Sequence, residues 1–204
     1  MQEDVESFAK PEGAVLLAAS VPRLDARSTP EQENEAGRIR SAIMALAHAV
    51  LGHRRLVWGG HPTVTPIVAL VAQAQGIDFQ RWTCLYQSRH FASHLVRENR
   101  HFGNVAYTPD LGSLDSSIAR MRAQMIADHR FEAAVFIGGG PGVRAEHDLL
   151  VGLQPEVRII PVASTGRTAR ALFEAGDYPQ RLATDTSYGA LFRDLLIGAD
   201  DGIS

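Results

Sequence analysis

The sequence predicts a single α/β domain built on a mainly parallel sheet, and three observations predict it. Strand-like and helix-like segments alternate from residue 14 to residue 197. The strand candidates are near-continuous apolar runs, the pattern of a sheet covered on both faces. The clearest of them, AAVFIGG at 133–139, runs into further glycines and then a helix start. Together these describe a Rossmann-like three-layer sandwich. At 204 residues the chain is long enough to bury one full core, and no repeat, low-complexity tract or linker divides it.

The domain is expected to occupy 13–204, behind a flexible arm at 1–12 whose mixed polar composition matches neither a secretory signal nor a transit peptide. AVLLAASVP at 14–22 reads as the first strand, followed by a polar, Pro-containing loop. From Glu35 the spacing of Ile39, Ile43, Leu46, Ala47, Val50 and Leu51 is helical, and Gly52 stands where a helix would stop. RLVWGG at 55–60 is the second strand. Thr65 before Pro66 opens a short helix that ends at Gly76. RWTCLYQS at 81–88 is the third strand, a helix is expected from Arg89 to Glu98, and NVAYTPD at 104–110 is a strand entering a loop. Residues 114–129 put Ile118, Met121, Met125 and Ile126 on one face of an amphipathic helix, the two methionines in the core. After the strand at 133–139 come a helix at 143–153, the strand VRIIPVAS at 157–164, a helix at 168–175 and a last amphipathic helix at 188–197.

Twenty basic against 23 acidic side chains give a formal charge of −3, so no global cationic surface argues for nucleic acid or an anionic membrane. A small molecule is the expected partner. No apolar run approaches the roughly 20 residues needed to span a bilayer. The lone Cys84 excludes an internal disulfide framework and reads as a buried structural thiol, so a cytoplasmic protein is expected.

Parallel sheets present their ligand loops at the carboxyl ends of the strands. Four such ends here are rich in small or hydroxyl-bearing residues: Ser20; Gly59, Gly60 and His61; Gly138, Gly139, Gly140 and Gly142; and Ser164, Thr165, Gly166 and Arg167. Glycine lets a backbone approach a phosphate or ribose, and a helix beginning just beyond it aims free N–H groups and its positive dipole end at an anion. The set points to a nucleotide-type ligand. The first strand-to-helix turn, ASVPRLDARS, lacks the glycines of a dinucleotide fingerprint, and no G-x-x-x-x-G-K-[ST] occurs. An NAD dehydrogenase and a P-loop NTPase are therefore not expected.

IGGGPGVRAE at 137–146 resembles the P-G-G-x-G-T-x-x-E signature of the Lonely-Guy-type phosphoribohydrolases, with Gly139, Gly140, Gly142 and Glu146 in register. With Ser20, GGHPTVTP at 59–66 and STGRTARALFE at 164–174, the chain resembles the wider SLOG superfamily over roughly residues 14–197. The resemblance implies a Rossmann-like fold, a homo-oligomer, and binding of a nucleotide or NAD-derived nucleotide that is either sensed or cleaved at its N-glycosidic bond. It also implies catalytic roles for Glu146 and for an arginine on the preceding helix, here Arg122. Gly138 stands in place of the family's proline, Val143 of its threonine, and Ala145 of a second acid. These departures put a sensor or ligand-binding domain first, a nucleoside-monophosphate phosphoribohydrolase or other N-glycosidase second, and a non-catalytic protein scaffold third. No cofactor is expected. His90 and His94 have metal-ligand spacing on the expected helix, but no supporting Cys or His-Glu-x-x-His accompanies them, so no metal site is expected either. Arg89, Arg97, Arg100 and His101 read as a solvated basic face.

Overall fold

The structure, a computed structural model, describes residues 13–198, so the expected arm at 1–12 lies outside the described residues. Six parallel strands form one sheet in the order β4-β3-β2-β1-β5-β6: β1 Ala14–Ser20, β2 Arg55–Gly59, β3 Thr83–Ser88, β4 Val105–Thr108, β5 Phe131–Gly138 and β6 Arg158–Val162. The chain winds outward from β1 to β4, then returns across the sheet to place β5 on the other side of β1. This reversal leaves a crevice between the carboxyl ends of β1 and β5, where Ser20 and Gly138 are register partners.

Alternation along each strand feeds two cores. Val15, Leu17, Ala19, Trp58 and Val135 face α1 (Pro30–Val50), α2 (Thr65–Ala74) and α8 (Tyr188–Phe192). Leu16, Ala18, Val57, Ala134 and Phe136 face α4 (Leu114–Ala127), α5 (Pro141–Leu153) and α6 (Arg167–Glu174). Helices on both faces are what made the strands apolar throughout rather than alternating. Met121 and Met125 lie in the second core as expected, and so does Cys84, whose thiol burial pushes up to about 11. Among the described residues no helix is long and apolar enough to cross a membrane.

Several boundaries differ from the sequence reading for identifiable reasons. Helix α1 begins at Pro30, inside the segment read as loop, because Thr29 and Gln32 form a capping box: the Gln32 N–H donates to Thr29 Oγ1 at 3.4 Å and the Thr29 N–H to Gln32 Oε1 at 2.9 Å. Thr29→Ala is expected to cost about 1 kcal/mol of unfolding free energy, measured by urea denaturation. A short turn, α3 (Phe79–Trp82), capped by Asp78, takes the first residues assigned to β3.

The helix expected at 89–98 is replaced by two 3₁₀ turns, Arg89–His94 and Arg97–His101, separated by extended Leu95 and Val96. Tertiary packing wins over local periodicity here: Phe102 sets its ring against Trp58 and Phe79, each at 5.1 Å between centroids, and Leu95 and Val96 turn toward the sheet edge. The i, i+4 spacing of His90 and His94 thereby loses its meaning as a shared helix face. Beyond α7 (Arg181–Thr184), the last helix changes to a π-helical turn at Arg193–Ile197.

Candidate functional site

Over the carboxyl ends of β3, β2, β1 and β5 lies a cavity of about 730 Å³, within the size range of small-molecule sites. Its roof is α4, which contributes Ile118, Met121 and Arg122. At the β5 end, Gly140, Pro141 and Gly142 bring in the N-terminus of α5. No side chain caps that helix; Pro141 has no N–H and the Val143 N–H donates to Gly140 O at 3.0 Å, which leaves the Gly142 amide to the cavity.

Glu146, in the second turn of α5, is only 12% exposed and meets Arg122 Nε at 3.4 Å. Burial raises its carboxyl to about 7, although the Arg122 charge and hydrogen bond oppose the rise. The carboxyl is thus divided between acid and carboxylate near neutral pH. Arg122 itself fits because residue 142 is glycine: a Cβ there would lie 2.6 Å from Arg122 Nη2. Gly59 lets α4 pack close over β2, where a Cβ would come within 3.1 Å of Met121 Cε.

His61 follows on the β2 turn. Its Nδ1 accepts from the Thr63 N–H at 3.3 Å and lies 2.8 Å from Thr63 Oγ1, which in turn accepts from the Val21 N–H. Those contacts leave Nε2 to carry the proton, and burial lowers the imidazole pKa, so His61 offers a neutral N–H donor.

A family model described as the SLOG cluster3 family matches residues 31–196. The chain belongs to the SLOG cluster3 family. A crystal structure of TM1055, a structural-genomics target, is similar to it with a TM-score of 0.55 at 14% identity, covering 90% of this chain and 99% of that one, a likeness in fold. No curated protein matches it.

In this SLOG domain the cavity brings together Ser20, Gly59, Gly60, His61, Gly140, Gly142, Arg122 and Glu146 from the residues singled out in the sequence. Gly138 and Gly139 do not line it; they shape the turn, with φ of +56° and +87°. A Cβ at Gly138 would strike Ile39, and one at Gly139 would strike Val143 at 2.7 Å.

The fourth loop lies outside the cavity. Thr165 is buried with its hydroxyl accepting from the Gly138 N–H at 2.8 Å and donating to Val162 O, so it ties β6 to β5. Arg167 Nε donates to Glu35 Oε2 at 2.7 Å, Gly166 packs against the same glutamate, and Ser164 Oγ reaches the Tyr188 hydroxyl at 3.4 Å. Thr168 donates to Gly140 O at 3.1 Å. Thr165 and Thr168 brace the glycine turn from outside, while Ser164 and Arg167 tie the loop to Tyr188 and Glu35.

Residues not singled out for ligand contact complete the opposite end: Gln87 and His90 with Phe91, Leu95 and Val96. Gln87 belongs to the carboxyl end of β3, and the rule that parallel sheets bind ligands there would have named it. Among the described residues no group of three or more His, Cys, Asp or Glu could hold a metal ion.

Proposed function

We propose that this domain binds a nucleotide or NAD-derived nucleotide in the cavity over β3, β2, β1 and β5, as a sensor or ligand-binding component. The observation that carries the reading is the convergence of Arg122, Glu146 and the uncapped N-terminus of α5 on the crevice where the strand order reverses. An arginine and the positive end of the helix dipole, with the Gly142 N–H, suit a phosphate, and a carboxylate suits ribose hydroxyls. Family membership supports a nucleotide-related role. A homo-oligomer, implied by the family resemblance, is part of the reading and is checked by light scattering.

A second reading, an N-glycosidase, is favoured by one feature: the Glu146 carboxyl at about 7 beside Arg122. A carboxyl poised there can orient water at an anomeric carbon or stabilise the positive charge that develops as the base leaves. Thermal melting with nucleoside monophosphates, NAD and ADP-ribose, followed by chromatography for free base, tests both. A ligand at a hundred times its Kd is expected to add about 2.7 kcal/mol of stability. Stabilisation without free base supports the sensor; base release that disappears in Glu146→Gln supports the enzyme. If none of these ligands moves the melting temperature, both readings fall.

A further inference from the structure

We infer that the β3 end of the cavity is a base-recognition subsite, in which Gln87 and His90 read the hydrogen-bonding edge of a nucleobase. The inference rests on the nucleotide reading above and gives the ligand a direction. The cavity runs from the carboxyl end of β3 to that of β5, three strand spacings or about 14 Å. Its two ends differ in chemistry. The β5 end holds Arg122, Glu146 and the N-terminus of α5 with its Gly142 amide, which suit phosphate and ribose. The β3 end is walled by Phe91, Leu95, Val96 and Ile118, an apolar and partly aromatic lining that suits the faces of a planar heterocycle.

Within that apolar end two polar side chains are held by hydrogen bonds to neighbours. Gln87 is 4% exposed and its Oε1 accepts from Nδ2 of Asn99 at 3.3 Å, Asn99 being 6% exposed itself. With the oxygen held, the Nε2 amide is the group left to donate. Gly60 makes room for the oxygen, since a Cβ at that position would run into Gln87 Oε1.

His90 is fixed through its other ring nitrogen. Nδ1 lies 3.0 Å from Asp110 Oδ1, and that carboxylate is anchored by the Gly112 N–H at 2.9 Å and the buried Ser117 hydroxyl at 3.1 Å. An ionised Asp110 calls for a proton on Nδ1, which leaves Nε2 as the ring nitrogen outside that pairing. That end of the cavity therefore sets a side-chain amide and an imidazole nitrogen against an apolar background. A nucleobase edge offers hydrogen-bonding groups to both, which a bare sugar phosphate lacks.

Calorimetric titration with AMP, IMP, GMP, CMP, UMP and ribose 5-phosphate tests the assignment. At least one nucleotide is expected to bind tenfold or more tightly than ribose 5-phosphate. Gln87→Met, which keeps the side-chain volume, and His90→Asn are each expected to weaken that nucleotide roughly tenfold while leaving ribose 5-phosphate unchanged. Circular dichroism melts of both variants establish that they fold. If the variants bind the nucleotide as tightly as the parent, or if ribose 5-phosphate matches every nucleotide, the subsite is overturned while the nucleotide reading stands. If neither nucleotides nor ribose 5-phosphate bind, the nucleotide reading itself fails and takes the subsite with it.

Discussion

Glu146→Gln is expected to stabilise the domain at pH 8 by on the order of 3 kcal/mol. The carboxyl moves from an ordinary 4.5 to about 7 in the folded chain, chiefly through burial. Below pH 4.5 it is protonated in both folded and unfolded states and contributes no difference. Between about 4.5 and 7 the unfolded chain has lost the proton that the folded chain still binds, so stability falls as pH rises, by about 1.4 kcal/mol per pH unit. Above about 7 both states are ionised and the loss levels off. Glutamine fills the same space without a charge to desolvate, and its amide still faces Arg122.

Urea denaturation of the two proteins at several pH values from 4 to 9 isolates this one carboxyl, because every other titrating group is shared. The two stability curves should meet near pH 4 and separate toward pH 8. Parallel curves would show that Glu146 is solvated well enough to ionise normally, and its suitability as a proton-transfer group at neutral pH would go with them. A residue whose ionised form destabilises its own fold is the mark of a site shaped by function rather than by packing.

How far this site could be read from the sequence depended on what each residue type leaves ambiguous. The apolar run into Gly138–Gly142 was legible because strand period, glycine turn and helix start coincide within a short stretch, and the structure places all three there. Spacing alone does not single out Arg122, because the same helix also carries Arg120. What selects Arg122 is a contact across 24 residues with Glu146 and the space left by Gly142.

Ser164, Thr165 and Arg167 show the converse failure. Hydroxyls, a glycine and a guanidinium after a strand have the composition of a phosphate loop, yet Ser164 reaches Tyr188, Thr165 bonds Gly138 and Val162, and Arg167 bonds Glu35. Composition does not reveal whether a donor is already engaged. Gln87 is marked in the sequence only by its place at a strand end, and its contacts with Asn99 and Gly60 come through the fold. The 89–98 segment was misread as helix because its period is helical while the pull of Phe102 toward Trp58 is long-range.

Arg122→Ala and Gly142→Ala are expected to give the same functional defect from opposite sides of one contact. On the nucleotide reading, losing the guanidinium removes charge-assisted hydrogen bonds to phosphate, and affinity for a nucleoside monophosphate should fall about a hundredfold. The Glu146 carboxyl should also titrate higher, since the cation that opposes its burial is gone. Gly142→Ala reaches the guanidinium indirectly. Its new Cβ would stand 2.6 Å from Arg122 Nη2, and the end of a long side chain yields more readily than a helix backbone. Residue 142 has no left-handed φ and sits inside the first turn of α5, where alanine is a better helix former than glycine. Stability should therefore hold or rise slightly, within about 1 kcal/mol, while binding collapses. Calorimetry gives the affinity and carbon-13 NMR of the Glu146 carboxyl gives its titration. If Gly142→Ala binds like the parent, the guanidinium has another resting place within reach of the ligand, and the glycine is there for the backbone's approach to phosphate alone. If it loses affinity while the Glu146 titration stays fixed, the added methyl blocks the ligand itself. Only the joint change, weaker binding and a higher Glu146 titration in both variants, ties Gly142, Arg122 and Glu146 into one device.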